Sequence, residues 1–458
     1  MTKVRFAPVL FCALLLAPMT ADLADACLLA DRLRIIAPHL TEEEVMALAH
    51  GAMERTVIPY DFGGPTPCTD GMADIFPCDK VNLVGFLTLA EIGGGDGNDM
   101  WGWTDPVDLR DYALIGRSTG LAFIDISVPT APVYVGNLPT HTSESSWRDV
   151  KVFSDHAFIV SDNNGNHGMQ VFDLSQLRTV VSPPETFSET AHYSGFGNAH
   201  NIVINEASGY AYAVGSDTCS GGLHMVDIST PTSPVSAGCF SSDGYTHDAQ
   251  CVIYNGPDAE HVGSEICVNS NEDTVTIVDV TDKSNPVQLS RTGYTDAGYT
   301  HQGWLTEDHR YFVHDDEFDE FNAGHNTRTY TWDVSDLDAP TLAGFWDAAG
   351  QSVDHNQYIK GEFTYQANYK RGLRILEMVD PATGGMTEHA FFDTYPTEDS
   401  NGFSGAWSVY PFFDSGIVLV SDISRGLFIL QPEMPGPIFE DGFESGDITA
   451  WDVNIPLL

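Results

Sequence analysis

Basic side chains are scarce in this chain: 20 Lys and Arg stand against 65 Asp and Glu, a formal net charge of −45 over 458 residues. Such a surface repels nucleic-acid phosphates and anionic membrane faces, which excludes nucleic acid as a partner and favours cations or basic ligands. Long apolar runs are missing too. Residues 6–16 form a short one, and no stretch approaches the roughly 20 residues needed to cross a bilayer, so no transmembrane helix is expected. Several catalytic signatures are also absent: no phosphate loop, no His-Glu-x-x-His and no Cys-x-x-Cys. Any chemistry must therefore be assembled from residues far apart in the sequence.

What is present begins with an export signal. Lys3 and Arg5 precede the apolar residues 6–16, and Ala21 or Ala24-Asp25-Ala26 supplies small residues for cleavage, so residues 1–26 read as a signal peptide. Cysteine usage agrees. Cys68, Cys78, Cys219, Cys239, Cys251 and Cys267 form an even set suited to an oxidising compartment. Neighbour pairing as 68–78, 219–239 and 251–267 is preferred, among the 15 connectivities that six cysteines allow. Cys27 is left over, behind a poor lipobox. An exported protein, extracellular or associated with the cell envelope, is the expectation.

The body of the chain is repetitive. One landmark recurs at Arg148, His200, His247, His301, His355 and Trp407, about 50 residues apart, with Trp101-Gly102-Trp103 as a divergent first copy. A second is an apolar–polar alternation that ends in Asp and Ser or Thr, as in Ile124-Asp125-Ile126-Ser127, Val226-Asp227-Ile228-Ser229 and Trp332-Asp333-Val334-Ser335. Period-two alternation marks strands, and Asp before Ser or Thr caps a tight turn. A third is the strand after that turn, which closes on glycine in Pro132-Val133-Tyr134-Val135-Gly136, Pro234-Val235-Ser236-Ala237-Gly238 and Pro340-Thr341-Leu342-Ala343-Gly344. Four short strands in each of seven repeats give an all-β, seven-bladed β-propeller over residues 81–431. The seventh repeat lacks its outermost strand, and residues 81–86 have the pattern to supply it, so the ring is expected to be closed by an N-terminal strand that leaves no open edge. Residues 27–80 form a helical and disulfide-bearing segment, in which 28–56 have helical periodicity and Thr41 opens a capping box. Residues 432–458 form an acidic tail containing Pro and Gly, read as a flexible end or a sorting signal.

Longer stretches carry a resemblance. They include Cys68-Thr69-Asp70-Gly71-Met72-Ala73, His167-Gly168-Met169-Gln170-Val171-Phe172-Asp173, Gly244-Tyr245-Thr246-His247-Asp248-Ala249-Gln250-Cys251, Tyr299-Thr300-His301-Gln302-Gly303-Trp304 and Tyr365-Gln366-Ala367-Asn368-Tyr369. From about Cys68 to Gln431 the chain resembles the choice-of-anchor B family of exported proteins, whose repeats are similar to the LVIVD repeat. The resemblance implies a surface or extracellular protein that differs from its relatives in its anchoring signal. This chain has neither a Leu-Pro-x-Thr-Gly motif nor a C-terminal membrane helix.

Two constellations offer chemistry. His200, His247, His301 and His355 occupy one repeat position in successive blades, so on an innermost strand they either converge on the channel or point between blades. If they converge, they form a ligand set for Zn²⁺ or another transition metal, with Asp149 and Asp248 as further ligands or acceptors. The second is His314-Asp315-Asp316-Glu317-Phe318-Asp319-Glu320, where Asp315, Asp316, Glu317, Asp319 and Glu320 crowd one loop, as Ca²⁺ ligands or as a solvated acidic loop. Trp103, Trp147, Trp304 and Trp407 near blade starts are read as packing between blades, with a carbohydrate platform as the alternative. Two functions follow from the sequence: a binding scaffold for an unknown surface or extracellular ligand, or a metal-dependent hydrolase or lyase using the histidine cluster.

Overall fold

The computed structural model describes Tyr60 and residues 62–435. The signal peptide, the helical stretch 28–56, Cys27 and most of the acidic tail lie outside the described residues. Seven antiparallel sheets of four or more strands are arranged as the blades of a propeller, and the inner strands follow one another round the ring. In chain order the inner strands are Gly97–Thr104, Arg148–Phe153, Asn201–Asn205, Asp248–Ile253, Thr300–Leu305, Gln357–Lys360 and Ala406–Tyr410. The first and last of these meet, which closes the circle. No helix of the described residues is long and apolar enough to cross a membrane.

The repeat landmarks map onto specific positions in each blade. The Asp of the second landmark ends the third strand and turns the chain. Its carboxylate accepts the backbone N–H two residues on: Asp125 from Ser127, Asp227 from Ser229, Asp279 from Thr281 and Asp333 from Ser335, all at 2.8–2.9 Å. This is the side-chain mimic of a turn that Asp supplies and that apolar residues cannot. The glycine of the third landmark has a different cause. A Cβ on Gly238 would lie 1.8 Å from the Lys283 carbonyl oxygen of the next blade, and one on Gly344 would lie 2.1 Å from that of Thr383. The outer strand is pressed against its neighbour's turn at these points, so only glycine fits.

The middle strands of each blade are buried on both faces, which is why they read as near-continuous apolar runs such as Phe158-Ile159-Val160. Their side chains fill the seams between blades: Leu114 and Phe123 of the first blade pack with Val150 and Ile159 of the second. The ring closes as expected. Val81–Thr88 pairs antiparallel with Gly426–Pro432 and completes the seventh blade, burying Val81, Leu83 and Phe86. The segment before it is also part of the sheet system. Met72–Ala73 and Phe76–Asp79 form a hairpin whose second strand adds to the outer strand of the sixth blade, with Cys78 opposite Phe392. The three disulfides are 68–78, 219–239 and 251–267, the preferred pairing. Cys251 and Cys267 face each other across adjacent strands, while Cys68–Cys78 ties the hairpin.

Candidate metal centre at the channel mouth

The four repeat histidines converge. Each sits at the start of an inner strand or within two residues before it, so successive blades carry them round one mouth of the channel. Ring centroids are 4.3 Å apart for His200 and His247, 4.1 Å for His247 and His301, and 4.3 Å for His301 and His355. All but His200 are almost wholly buried.

In each of the four the same nitrogen is spoken for. His200 Nδ1 lies 2.9 Å from an Asp162 carboxylate oxygen and His301 Nδ1 2.9 Å from Asp315. His247 Nδ1 donates to the His301 backbone carbonyl at 2.8 Å and His355 Nδ1 to that of Trp407 at 2.5 Å. A carbonyl oxygen only accepts, so Nδ1 carries the proton in those two rings, and the carboxylates favour the same tautomer in the others. The Nε2 lone pairs are left for something else. His301 Nε2 is buried with no partner.

The missing piece of the set is Glu317. Its two oxygens lie 3.9 Å from His301 Nε2 and 3.8 Å from His355 Nε2, and the Tyr369 hydroxyl donates to Oε1 at 2.7 Å. The ligand atoms of His301, Glu317 and His355 all fall within 4.8 Å of one another. On a tetrahedral zinc with bonds of about 2.0–2.1 Å, neighbouring ligand atoms sit about 3.3 Å apart, so Glu317 would have to close by about half an ångström on each of the two histidines to seat the ion. Electrostatics agree with the geometry. Burial, reinforced by the neighbouring rings, holds His247 and His301 well below the usual imidazole range, and His355 falls to about 3 mainly through burial. Burial pushes Glu317 up to about 7. Burial also works against a charge on His200, but Asp162 outweighs it and raises that residue. Neutral imidazoles facing a desolvated carboxylate are the state in which a cation is bound.

Glu317 was hidden inside the acidic run. The second strand of the fifth blade, Tyr311–Asp316, runs antiparallel to the inner strand, with Asp316 opposite Thr300. The residue after it therefore falls opposite Tyr299, two residues before His301, and the Glu317 N–H donates to the Tyr299 carbonyl at 3.1 Å, a register that the hairpin pattern contained. The run is otherwise not a solvated loop, and its five acids do not gather round one point. Asp315 and Asp316 end a strand, and Asp319 and Glu320 open the short helix Asp319–Ala323. Asp315 accepts from His301, Gln302 N and Gln357. Asp316 accepts from the Tyr294 hydroxyl and from the backbone of Gly298, Tyr299 and Phe318. Asp319 accepts from the Tyr330 hydroxyl, while both Glu320 oxygens are buried without a partner. None of the close ligand groups among the described residues contains two of these five acids.

Asp149 and Asp248 lie one residue past the histidine position, where a strand alternates its faces, and neither joins the close ligand group of His301, Glu317 and His355. Asp149 takes Val150 N, the Lys151 ammonium and, across the blade boundary, Ile202 N. Asp248 accepts from Ala249 N, and burial raises it to about 7. It lines a cavity of about 360 Å³ deeper in the channel, shared with Lys151, Trp101, Trp304, Tyr358 and Tyr410. Trp304 is thus a wall of this cavity, whereas Trp103 stacks on Tyr112 and Trp407 packs on His355.

Comparison with known proteins adds the repeat type. Residues 109–140 and 196–241 match the LVIVD repeat model. These two segments are similar to LVIVD repeats. No curated protein matches it. Among solved structures, a Lactobacillus plantarum protein is similar at 14% identity and a TM-score of 0.47, covering 66% of this chain and 84% of its own. The periplasmic gluconolactonase of Pseudomonas aeruginosa is similar at 13% identity and a TM-score of 0.45, over 64% of this chain and 85% of that one. The hydrazine synthase of Kuenenia stuttgartiensis reaches 12% identity and a TM-score of 0.49, over 73% and 95%.

Proposed function

We propose that this LVIVD-repeat propeller is an exported, metal-dependent hydrolase or lyase whose centre is a divalent transition metal of the Zn²⁺ class, held by His301, Glu317 and His355. One observation carries the reading: four histidines have Nδ1 tied to fixed acceptors, and two of them aim free Nε2 atoms at one carboxylate. Metal-binding imidazoles are oriented in this way by acceptors behind the ring. Three protein ligands leave a coordination position for water or substrate, which distinguishes a catalytic site from a closed structural one, and a bound divalent metal lowers the pKa of such a water to about 7. His200 and His247 line the approach to that position, and Tyr369 fixes the carboxylate. Export is supported by the N-terminal signal, the three disulfides and the resemblance to choice-of-anchor B proteins. A binding scaffold without a reaction would not require four oriented imidazoles.

The test is cobalt substitution of the full mature chain. Visible d–d bands of a four- or five-coordinate ion are expected, shifting when azide is added, and the His301→Ala/His355→Ala variant should lose one equivalent of cobalt with the bands that belong to it. Bands that ignore azide would mean a closed site and sink the catalytic reading. Identical spectra in the variant would sink the site itself.

A further inference from the structure

A second constellation lies on the rim of the ring, away from the channel. His141 is in the connection between the first and second blades; Glu189 and His192 precede and occupy the outer strand of the second, Ala191–Tyr193. The ligand atoms of these three lie within 4.8 Å of one another, on a half-exposed surface. We propose that His141, Glu189 and His192 form a separate Zn²⁺ site, and that the ion clasps the first blade to the second.

The side chains are oriented as ligands. His192 Nε2 lies 2.7 Å from the His167 backbone carbonyl and must donate to it, so its lone pair is on Nδ1. His141 stacks on His192 with ring centroids 3.8 Å apart and planes 11° from parallel, so the two rings are neighbours and one must tilt for both in-plane lone pairs to meet a single ion. His141 Nδ1 is 3.0 and 3.2 Å from the two Glu189 oxygens. A zinc ion takes the place of the proton in that contact, since ligand atoms on it are separated by about 3.3 Å. The Gln170 amide donates both to Glu189 Oε2, at 2.9 Å, and to the Pro139 carbonyl, at 3.1 Å, so a single group positions the carboxylate and the strand end that leads to His141. The third histidine nearby, His167, is excluded as a ligand. Its Nε2 accepts from the Arg148 guanidinium and its Nδ1 donates to Gly168 O.

The path of the chain shows what the ion would hold. After Asp173 the backbone leaves the second blade, and Glu185–Thr186 pairs in parallel with Gly136 and Asn137 of the first blade. It then returns as Ala191–Tyr193 beside Met169–Val171. This excursion of about 17 residues is exposed at Val181 and is held to the first blade by a two-residue bridge, by the Phe187 N–H on the Asn137 carbonyl and by Arg178 paired with Asp105. An ion on Glu189 and His192 on the one side and His141 on the other fixes its returning end to the connection between the first two blades.

The experiment is a Zn²⁺ titration of metal-free full-length protein against a chromophoric chelator, with limited proteolysis in parallel. Wild type is expected to bind two equivalents. His141→Ala/His192→Ala and His301→Ala/His355→Ala should each bind one, and Gln170→Ala, which removes no ligand, should weaken the rim site about 10-fold or more. Zinc should slow cleavage within residues 174–190 in wild type and in the channel variant but not in the rim variant. The equivalent kept by the rim variant reports that it has folded; Glu189→Gln alone is the milder form. Two equivalents in the rim variant, or a wild type whose only equivalent is lost with His301 and His355, would overturn the rim site. A rim variant that loses its equivalent while the channel variant keeps both would refute the channel centre and leave the rim site standing.

Discussion

Asp315→Asn isolates the orienting role that the channel centre depends on. Asp315 touches none of the open Nε2 atoms; it holds His301 by Nδ1 at 2.9 Å, and its other contacts are Gln302 N at 3.1 Å and the Gln357 amide at 3.2 Å. The substitution preserves size and one acceptor but removes the carboxylate that backs the imidazole, a group that burial holds well above the usual carboxylate range and that a bound cation would favour in its charged form. Losing such a partner costs about 10–100-fold in metal affinity, or about 1.4–2.7 kcal/mol. Linkage turns this into a stability change. At free Zn²⁺ of about 100 times the wild-type Kd, metal stabilises the folded protein by about 2.7 kcal/mol, and the variant retains only about 0.4–1.4 kcal/mol of that. The assay is urea unfolding with and without Zn²⁺, in a His141→Ala/His192→Ala background so that only the channel site contributes. A variant stabilised by zinc as strongly as its parent, while His301→Ala is not stabilised at all, would refute the claim that Asp315 acts through the imidazole.

Two further outcomes test the scaffold. Glu265 joins the third and fourth blades: Oε1 accepts from Asn205, Ser208 and Tyr212, and Oε2 accepts from Lys283 at 2.6 Å, all in a buried setting. Glu265→Gln leaves the ammonium without its anion and should cost about 3–5 kcal/mol in urea unfolding, with Lys283→Met recovering part of it; an equal cost in single and double variants would deny the coupling. His314 is buried, accepts from Trp332 Nε1 at 2.9 Å, and is lowered by burial to about 3. Since its folded pKa lies below the unfolded value of about 6.5, the unfolded chain takes the proton first, and stability is flat above pH 6.5 and falls by about 1.4 kcal/mol per unit down to about pH 3. His314→Gln should remove about 2.7 kcal/mol of the loss between pH 6.5 and 4.5, and parallel pH profiles of the two proteins would contradict this.

The propeller was legible because its contacts are local. Each blade is a meander of neighbouring hairpins, so the Asp turns, the pressed glycines and the 50-residue recurrence all report on residues that meet within one repeat. The histidine quartet was legible for the same reason. Glu317 was not, because it reaches the site through the return strand of a hairpin and was masked by the acids beside it. Asp149 and Asp248 were drawn toward the site by sequence adjacency, which on a strand turns a side chain the other way. The cavity wall had a signal that repeat reading passed over. Lys151, Gln250, Trp304, Tyr358 and Tyr410 all stand three residues beyond the landmark, at a second level of the same channel. The rim cluster had none, since its three residues belong to a connection and an excursion that no other repeat contains.

The strand that completes the seventh blade has a consequence for how the molecule comes into being. Val81 meets Pro432, partners roughly 350 positions apart, so the seventh blade depends on the longest-range pairing in the ring, while the four-stranded core of every other blade forms from nearby sequence. Six blades can assemble as the chain emerges, but the circle stays a horseshoe until its last strand is available. Until then, Val81–Thr88 has no partner strand, and the apolar faces of Val81, Leu83 and Phe86 are uncovered. A chain cut short before residue 426 is therefore not a slightly smaller propeller. It is an open array with two sticky ends.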